Sequence, residues 1–441
     1  MNRAAPHQDL RNPHYRAWRD FLAGAEGWNE KRIQGYQRAE LEQAVRHAFQ
    51  TTRGYRGLFE SAGFEPGEPL TPDTFRRLPF VEKEMIRDRL EDFTSFKTRC
   101  DYVTTGGSTG IPFGFYREPA AFARELASKA HQYRRIGWRE GDPQIVFRGV
   151  PVNAKSRIQR YPRFNELRCS SYHLTPDRME KYRLAALRYR PRWLRCYPSS
   201  GFLFAKYLEE TGREFPPLKG ILCASENLYD YQKETLRRVF GCRVFSHYGH
   251  YELAVLAGFC ENEDTYHVLP QYGFAELLDS AGNPVTTPGQ VGEIVATSFL
   301  MRATPFIRYR TRDFAVFKSH GCAACGRPYD VWERIEGRLQ EFVITGTGRL
   351  ISMTAINMHD DVFDHVKQFQ FVQDQRGVVT FTYVPKTTCV NGVVANMRSR
   401  LAVKFGDDME LRMQPVRDIA PTARGKHRFL IQKLPVQHHD F

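Results

Sequence analysis

The chain has 441 residues, enough for about two or three domains with a large buried core, which excludes a peptide hormone or an isolated zinc finger. Hydrophobic residues make up 41% and charged ones 26%, with 33 Gly and 25 Pro, an ordinary globular composition that excludes a low-complexity or collagen-like chain. Against 50 Asp and Glu stand 64 Lys and Arg, a formal net charge of +14, which favours anionic partners such as nucleotides, phosphorylated substrates or nucleic acid without choosing among them. No run of about 18 apolar residues occurs, and MNRAAPHQDLRNPHYRAW at the start holds no apolar signal core, so a cytoplasmic protein without membrane insertion is expected. The nine cysteines are scattered and odd in number, unlike a secreted disulfide framework.

The first hundred residues read as amphipathic helices, with Leu41, Val45, Ala48 and Phe49 at helical spacing in a charged background. Pro and Gly in GFEPGEPLTPDTFRRLPF mark a loop-rich connection, after which VEKEMIRDRLEDF resumes the helical pattern. Beyond a glycine-rich stretch, Phe122, Leu126, Ala130 and Tyr133 give another helix face, which Gly137 can stop. Strand and helix then alternate: QIVFRGV as a strand, a basic helix near 178–190, GILCAS as a strand, LYDYQKETLRRVF as a helix and CRVFSHYG as a strand. That alternation predicts an α/β fold with a largely parallel sheet. Residues 272–317 change to shorter strands that read as antiparallel around the turn SAGNP. QFQFVQ, VVTFTYV and a helix near 391–404 form a last, small α+β unit. The expected domains are 1–338, with a strand-rich subdomain at about 260–335, and 339–441.

Thr104-Thr105-Gly106-Gly107-Ser108-Thr109-Gly110 is dense in flexible backbone and hydroxyls. Glycines let backbone N–H groups approach phosphate oxygens, and Ser and Thr hydroxyls add donors; an ordinary glycine turn is the alternative. The stretch is not a Walker A loop, because G-x-x-x-x-G-K-[ST] is absent. Further along stand SHYGHYE, PFIRYRTRD, RIEGR and PTARGKHR.

These five segments, in this order, resemble the adenylate-forming superfamily of acyl-CoA synthetases and adenylation domains. More narrowly, the chain from about residue 30 to 430 resembles the branch of phenylacetate-CoA ligases and CapK-like capsular-polysaccharide proteins. The resemblance implies a large α/β adenylation domain followed by a small mobile α+β lid. It implies a reaction in which a carboxylate attacks the α-phosphorus of ATP, giving an acyl adenylate and pyrophosphate, after which a nucleophile displaces AMP. An aromatic or arylacetic acid and coenzyme A are the implied substrates, with transfer to an amine, giving an amide, as the alternative.

On the same resemblance, Thr104 to Gly110 hold the β- and γ-phosphates, and Glu252 is the ligand of Mg2+, a hard oxygen donor for a cation that bridges phosphates. Asp313 accepts hydrogen bonds from both ribose hydroxyls, and Arg338 lies near the ribose and hinge. Ser225, Glu226 and Asn227 pack on the adenine together with Tyr248 and Gly249. Lys426 reaches the carboxylate and α-phosphate, which requires the small domain to close. Ser199, Ser200 and His247 are assigned to the acyl pocket from their neighbourhood alone. The sequence departs from the superfamily pattern in Gly110-Ile111-Pro112, where Gly-Lys-Pro is usual, in Leu339-Gln340-Glu341 at the hinge, and in Arg312, where a glycine usually precedes the aspartate.

Cys260-x6-His267 followed by Cys322-x2-Cys325-Gly326 is a separate constellation. Thiolate and imidazole suit a closed, four-ligand structural Zn2+ site, with His320 as a competing ligand; reduced unliganded thiols and a redox pair are the alternatives. The Arg-rich YRLAALRYRPRWLRC, residues 182–196, reads as a solvated helix flanking an anion-binding cleft, with a nucleic-acid-binding run of interleaved aromatics as the alternative. A catalytically inactive, basic, zinc-containing nucleic-acid-binding protein is the rival of another class, with Glu252, Asp313 and Lys426 arguing against it. The oligomeric state is open, a homodimer included.

Overall fold

Asn29 opens the long helix Glu30–Thr51, its side chain accepting from the Arg32 amide at 3.0 Å, and the expected stripe of Leu41, Val45, Ala48 and Phe49 is buried along it. The computed structural model describes residues 11–65, 67–105, 113–148, 157–171, 174–338, 342–348, 350–352, 365–420 and 428–434. The next expected helix is shorter than its pattern suggests: a turn and a half, Lys83–Asp88, passes into the 3₁₀ turn Leu90–Phe93. Pro119–Arg134 is helical as expected, and Gly137 follows at φ +87°. Of the expected face Ala130 and Tyr133 are buried, with Ala121, Ala123 and Ala127 as the other buried apolar residues, whereas Leu126 is only partly buried and Phe122 is half-buried beneath the Arg117 guanidinium. Small residues let this helix be covered on several sides, so the large apolar positions do not mark its buried face.

Contacts divide the chain into two units, 1–139 with 247–335, and 140–246 with 336–441. In the first, six strands lie in the order Gly273–Leu278, Val291–Ser298, Tyr309–His320, Asp330–Arg338, Tyr266–Val268 and Leu256–Phe259. Where registers are resolved they are antiparallel, as the pattern of residues 272–317 predicts. The SAGNP turn closes on Asp279, whose Oδ1 accepts from the amides of Ala281 (2.9 Å) and Asn283 (2.8 Å). A separate hairpin pairs Asp101–Thr105 with Phe113–Arg117.

In the second unit the strands run Ile158–Tyr161, Glu166–Ser170, Gln144–Arg148, Trp193–Cys196 and Gly220–Ala224. The last four are mutually parallel and the first is an antiparallel edge. Helices Pro176–Tyr189, Pro198–Thr211 and Asp230–Phe240 cover this sheet, packing Tyr182, Phe204 and Leu236 onto Ile145, Phe147 and Ile221. The basic run is therefore not one solvated helix. It stops at Arg190, φ +53°, because Pro191 cannot continue a helix, and then enters the buried strand Trp193–Cys196.

Within the same unit a smaller sheet runs Glu410–Pro415, Val378–Pro385, Val366–Gln375, Leu430–Gln432, with the helix Asn391–Phe405 laid on it. Phe371, Phe381, Met397, Leu401 and Phe405 fill its own core. Gln373 is fully buried yet satisfied: its amide exchanges two 2.7 Å hydrogen bonds with the backbone of Ile344. The α/β class and the small C-terminal α+β sheet are thus both present. Among the described residues no helix is long and apolar enough to cross a membrane.

Gly273, at the start of its strand, has no room for a side chain: a Cβ there would sit 2.0 Å from the Ala254 carbonyl oxygen and 2.7 Å from that of Thr297. Gly273→Ala should therefore lower stability by about 1–3 kcal/mol or more, because both obstacles are backbone. Thermal unfolding of the purified variant checks this; an unchanged midpoint would mean the backbones are not packed this closely.

Candidate functional site

The segment SHYGHYE becomes the end of strand Arg243–Gly249 and the turn after it. Tyr248 donates from its hydroxyl to Asp313 Oδ2 at 2.7 Å. Glu252 is buried in that turn, accepting from the Tyr309 hydroxyl on Oε1 (3.1 Å), while Oε2 lies 3.0 Å from His250 Nδ1. Leu253 follows at φ +51°. The first unit thus brings together three of the sequence-predicted residues, Tyr248, Glu252 and Asp313, as two buried carboxylates each oriented by a tyrosine. A buried carboxylate is a hard oxygen donor, so Glu252 is of the chemical type that binds magnesium.

A bulge places Asp313. Val295 pairs with Arg310 and Glu293 with Phe314, so Thr311, Arg312 and Asp313 face Ile294 alone. The Thr311 hydroxyl donates to the Ile294 carbonyl at 2.7 Å and accepts from the Asp313 amide at 3.0 Å. Fully buried Glu293 receives the Arg310 guanidinium (2.6 and 2.8 Å) on one oxygen and the Arg312 amide (3.2 Å) on the other. Arg312 itself has φ +59°, the left-handed region that favours glycine. The residue that departs from the superfamily pattern therefore keeps a glycine's conformation, and its side chain is anchored by Glu82 (2.9 Å) and Glu84 (3.0 Å).

Thr104 and Thr105 end the hairpin strand opposite Gly114 and Phe113, and Thr104 is exposed. Gly106, Gly107, Ser108, Thr109 and Gly110 lie outside the described residues, as does Lys426. His247 is held by the Tyr133 hydroxyl, 2.9 Å from Nδ1.

In the second unit, Ser225 stands just past the carboxyl end of strand Gly220–Ala224 with φ +72°, and Glu226 Oε2 accepts from the Ser199 amide at 3.0 Å. Carboxyl ends of parallel strands are where ligands of open α/β sheets sit. Ser200 is buried, its hydroxyl donating to the carbonyls of Phe147 (2.9 Å) and Tyr197 (3.0 Å). Arg338 ends the strand Asp330–Arg338 directly after Gly337, φ +95°.

Cys260, His267, Cys322 and Cys325 converge, their ligand atoms all within 4.8 Å of one another. Cys260 Sγ and Cys322 Sγ are 3.9 Å apart, and Cys325 Sγ lies 3.8 Å from His267 Nε2. A tetrahedron with Zn–S bonds of about 2.3 Å has edges of about 3.8 Å, so the donor set fits zinc. Burial, reinforced by the positive charges of Arg135 and Arg327, pulls His267 down to about 4, which keeps the imidazole neutral and able to ligate. The Cys322–Cys325 turn closes through the Gly326 amide to the Cys322 carbonyl, 2.8 Å, with Gly326 at φ +76°. His320 is not in the cluster; it is exposed and its Nδ1 pairs with Asp330 at 2.6 Å.

Sequence reasoning missed Glu293, Thr311, Tyr309 and His250, which hold the two carboxylates. The signal for His250 and Tyr309 was their place inside the singled-out segments. Glu293 carried none, because a lone Glu in VGEIVATSF reads as the polar side of a strand.

The chain matches the family model described as CapK C-terminal domain over residues 343–433. It is 24% identical over 382 residues to Protein CapK of Staphylococcus aureus, covering 83% of this chain and 82% of that protein. To the phenylacetate-coenzyme A ligase of Pseudomonas putida it is 24% identical over 345 residues, covering 76% of each. Among solved structures, a 2-hydroxyisobutyryl-CoA ligase in the postadenylation state superposes with a TM-score of 0.74 at 18% identity, over 91% of this chain and 90% of that one. The fold is accordingly that of the adenylate-forming ligases.

Glu293→Ala should destabilise the first unit by about 3 kcal/mol, since it leaves Arg310 without its buried partner and the Arg312 amide without an acceptor. Chemical denaturation would read this. A variant as stable as the parent would show that the bulge does not depend on Glu293.

Proposed function

From a chain with the fold of the adenylate-forming ligases and sequence similarity to CapK and the phenylacetate-CoA ligases, we propose that the protein activates a carboxylic acid with ATP and passes the acyl group to coenzyme A. A carboxylate oxygen bonds to the α-phosphorus as the bond from that phosphorus to the bridging oxygen breaks, and pyrophosphate leaves. The thiol sulfur of coenzyme A then bonds to the acyl carbon and AMP leaves. The favoured acid is aromatic or arylacetic, in keeping with the phenylacetate-CoA ligase relatives. The observation that carries the reading is the pair of buried, tyrosine-held carboxylates, Glu252 and Asp313. Burying an acid is costly unless donors or cations meet it; Tyr309 and Tyr248 supply donors, and a cation with phosphates at Glu252 and ribose hydroxyls at Asp313 are the partners this reading adds.

In this reading Thr104 to Gly110 cradle the β- and γ-phosphates, and Ser225, Glu226 and Asn227 meet the adenine with Tyr248 and Gly249. Glu252 holds magnesium, which neutralises phosphate charge when bound. Arg338 lies near the ribose. Ser199 and His247 remain the acyl-pocket proposals, whereas the hydroxyl of Ser200 is occupied by backbone and leaves that residue a packing role there. Residues 339–441 form the lid carrying Lys426, a proposal supported by the core that Phe371, Phe381, Met397, Leu401 and Phe405 build within that segment.

The first test is acid-dependent ATP–pyrophosphate exchange over aryl, arylacetic and fatty acids, with coenzyme A and amines as product traps. Exchange establishes adenylation, thioester formation establishes the acceptor, and an amide product would replace coenzyme A in the reading. Lys426→Ala should lose most exchange while unfolding at the parent's temperature, because a contact made only in the reacting state does not stabilise the resting fold. Full exchange by that variant would remove Lys426 from the site.

The cysteine–histidine cluster is proposed as a structural zinc site, so atomic emission should find about one zinc per chain, and chelation should lower the unfolding temperature. Purified protein without zinc would eliminate this metal assignment.

A further inference from the structure

Arg148 is the last residue of strand Gln144–Arg148, at the carboxyl end of the parallel sheet in the second unit. Its side chain crosses the end of the neighbouring strand, with the guanidinium carbon 5.5 Å from the centre of the Tyr197 ring, and its Nη2 donates to Ser225 Oγ at 2.8 Å. Ser225 lies beyond the next strand, so one cation spans the carboxyl ends of three adjacent parallel strands. Among the described residues no carboxylate pairs with Arg148; the nearby Glu226 accepts from the Ser199 amide instead. A guanidinium has five donors in a planar fork, and here a hydroxyl and a ring hold it without neutralising it. Ser225 holds its hydroxyl there from the left-handed region, φ +72°, a conformation that non-glycine residues adopt at a cost and that tends to mark functional positions.

We propose that Arg148, steadied by Ser225 and Tyr197, is a substrate-binding residue that holds an oxyanion, either a carboxylate of the acid or a phosphate of the nucleotide. This rests on the acid-activation reading and adds a residue to it. The shared chemistry is a trigonal or tetrahedral group whose oxygens match the guanidinium fork. Arginine at this position does not serve the packing of the sheet, since the residue is half exposed and the strand's buried side chains are Ile145 and Phe147.

The experiment is steady-state pyrophosphate exchange with Arg148→Gln, Arg148→Lys and Ser225→Ala, measuring KM for the acid and for MgATP separately, with thermal unfolding alongside. Arg148→Gln should unfold near the parent's temperature and raise one of the two KM values by about tenfold or more, with kcat changed less. A shift confined to the acid assigns the carboxylate, and one confined to MgATP assigns the phosphate. Arg148→Lys should recover part of the loss, as charge without the fork. Ser225→Ala should shift the same KM less, and its effect should not add to that of Arg148→Gln. Both KM values within about twofold of the parent overturn the inference while the activation reading stands. No exchange by the parent with any acid overturns that reading and this inference with it.

Discussion

The bulge between Val291–Ser298 and Tyr309–His320 is the constraint on which the placement of Asp313 beside Tyr248 depends. An uninterrupted ladder would alternate every side chain between the two faces of the sheet and leave Asp313 wherever the register put it. Three residues against one break that alternation, and each loose backbone group finds a specific partner: Ile294 takes the Thr311 hydroxyl, and Glu293 takes the Arg312 amide. Arg310 neutralises Glu293 in the same stroke. The turn is therefore over-determined, which is what allows arginine to occupy a left-handed position that glycine would adopt freely.

Both units use strand ends in this way, but by different means. In the first, antiparallel strands supply a bulge and an aromatic turn, and tyrosine hydroxyls orient the acids. A tyrosine suits the task because its ring packs in the core while its hydroxyl reaches the edge. In the second, the parallel strands all present carboxyl ends to one side, and polar side chains gather there without distorting the ladder. The cysteine–histidine cluster, also in the first unit, joins the end of strand Leu256–Phe259, at Cys260, and the strand that carries His267 to the turn of Cys322 and Cys325. Arg327, two residues beyond Cys325, pairs with Glu261 and with Glu26, which caps the helix Pro13–Ala25, and so fastens that helix end to the segment beside the cluster. Burial works to raise Glu26, yet its hydrogen bond from His131 and the charge of Arg135 outweigh this and hold it well below the usual carboxylate range.

Periodicity made most of the fold legible. The parallel strands Gln144–Arg148 and Gly220–Ala224 are short apolar runs between helices, and QFQFVQ and VVTFTYV alternate plainly. Trp193–Cys196 and Pro198–Thr211 were obscured because arginines flank the strand and Pro-Ser-Ser-Gly opens the helix, so charge and turn residues masked a buried strand and a covering helix. The face of Pro119–Arg134 misled for the opposite reason, since alanines rather than large side chains allow close approach. Of the candidate site, the four zinc-type ligands came from residue type and spacing, whereas Tyr248, Glu252 and Asp313 came from the family resemblance that the motif order carries. Their supports did not, because a hydrogen bond from Tyr309 to Glu252 spans 57 residues and no local pattern records it.

Arg312 shows why a departure from a family pattern cannot be weighed from sequence alone. Replacing glycine by arginine before Asp313, the aspartate proposed to bind ribose, reads as a loss of the backbone freedom that the turn requires. The structure keeps the left-handed backbone and adds two carboxylates, Glu82 and Glu84, that grip the guanidinium, so the conformational cost is met by contacts the glycine could not make. Both contacts are partly exposed, and each is worth only a fraction of a kcal/mol to about 1 kcal/mol. Together they reach the lower part of the strained backbone's cost, about 1–3 kcal/mol, while the amide bond to Glu293, open to any residue at this position, fixes the turn itself. The substitution is thus tolerated by a set of acids distributed over two segments of the chain, and the aspartate keeps its place because the backbone is fixed by those partners rather than by the residue type at the turn.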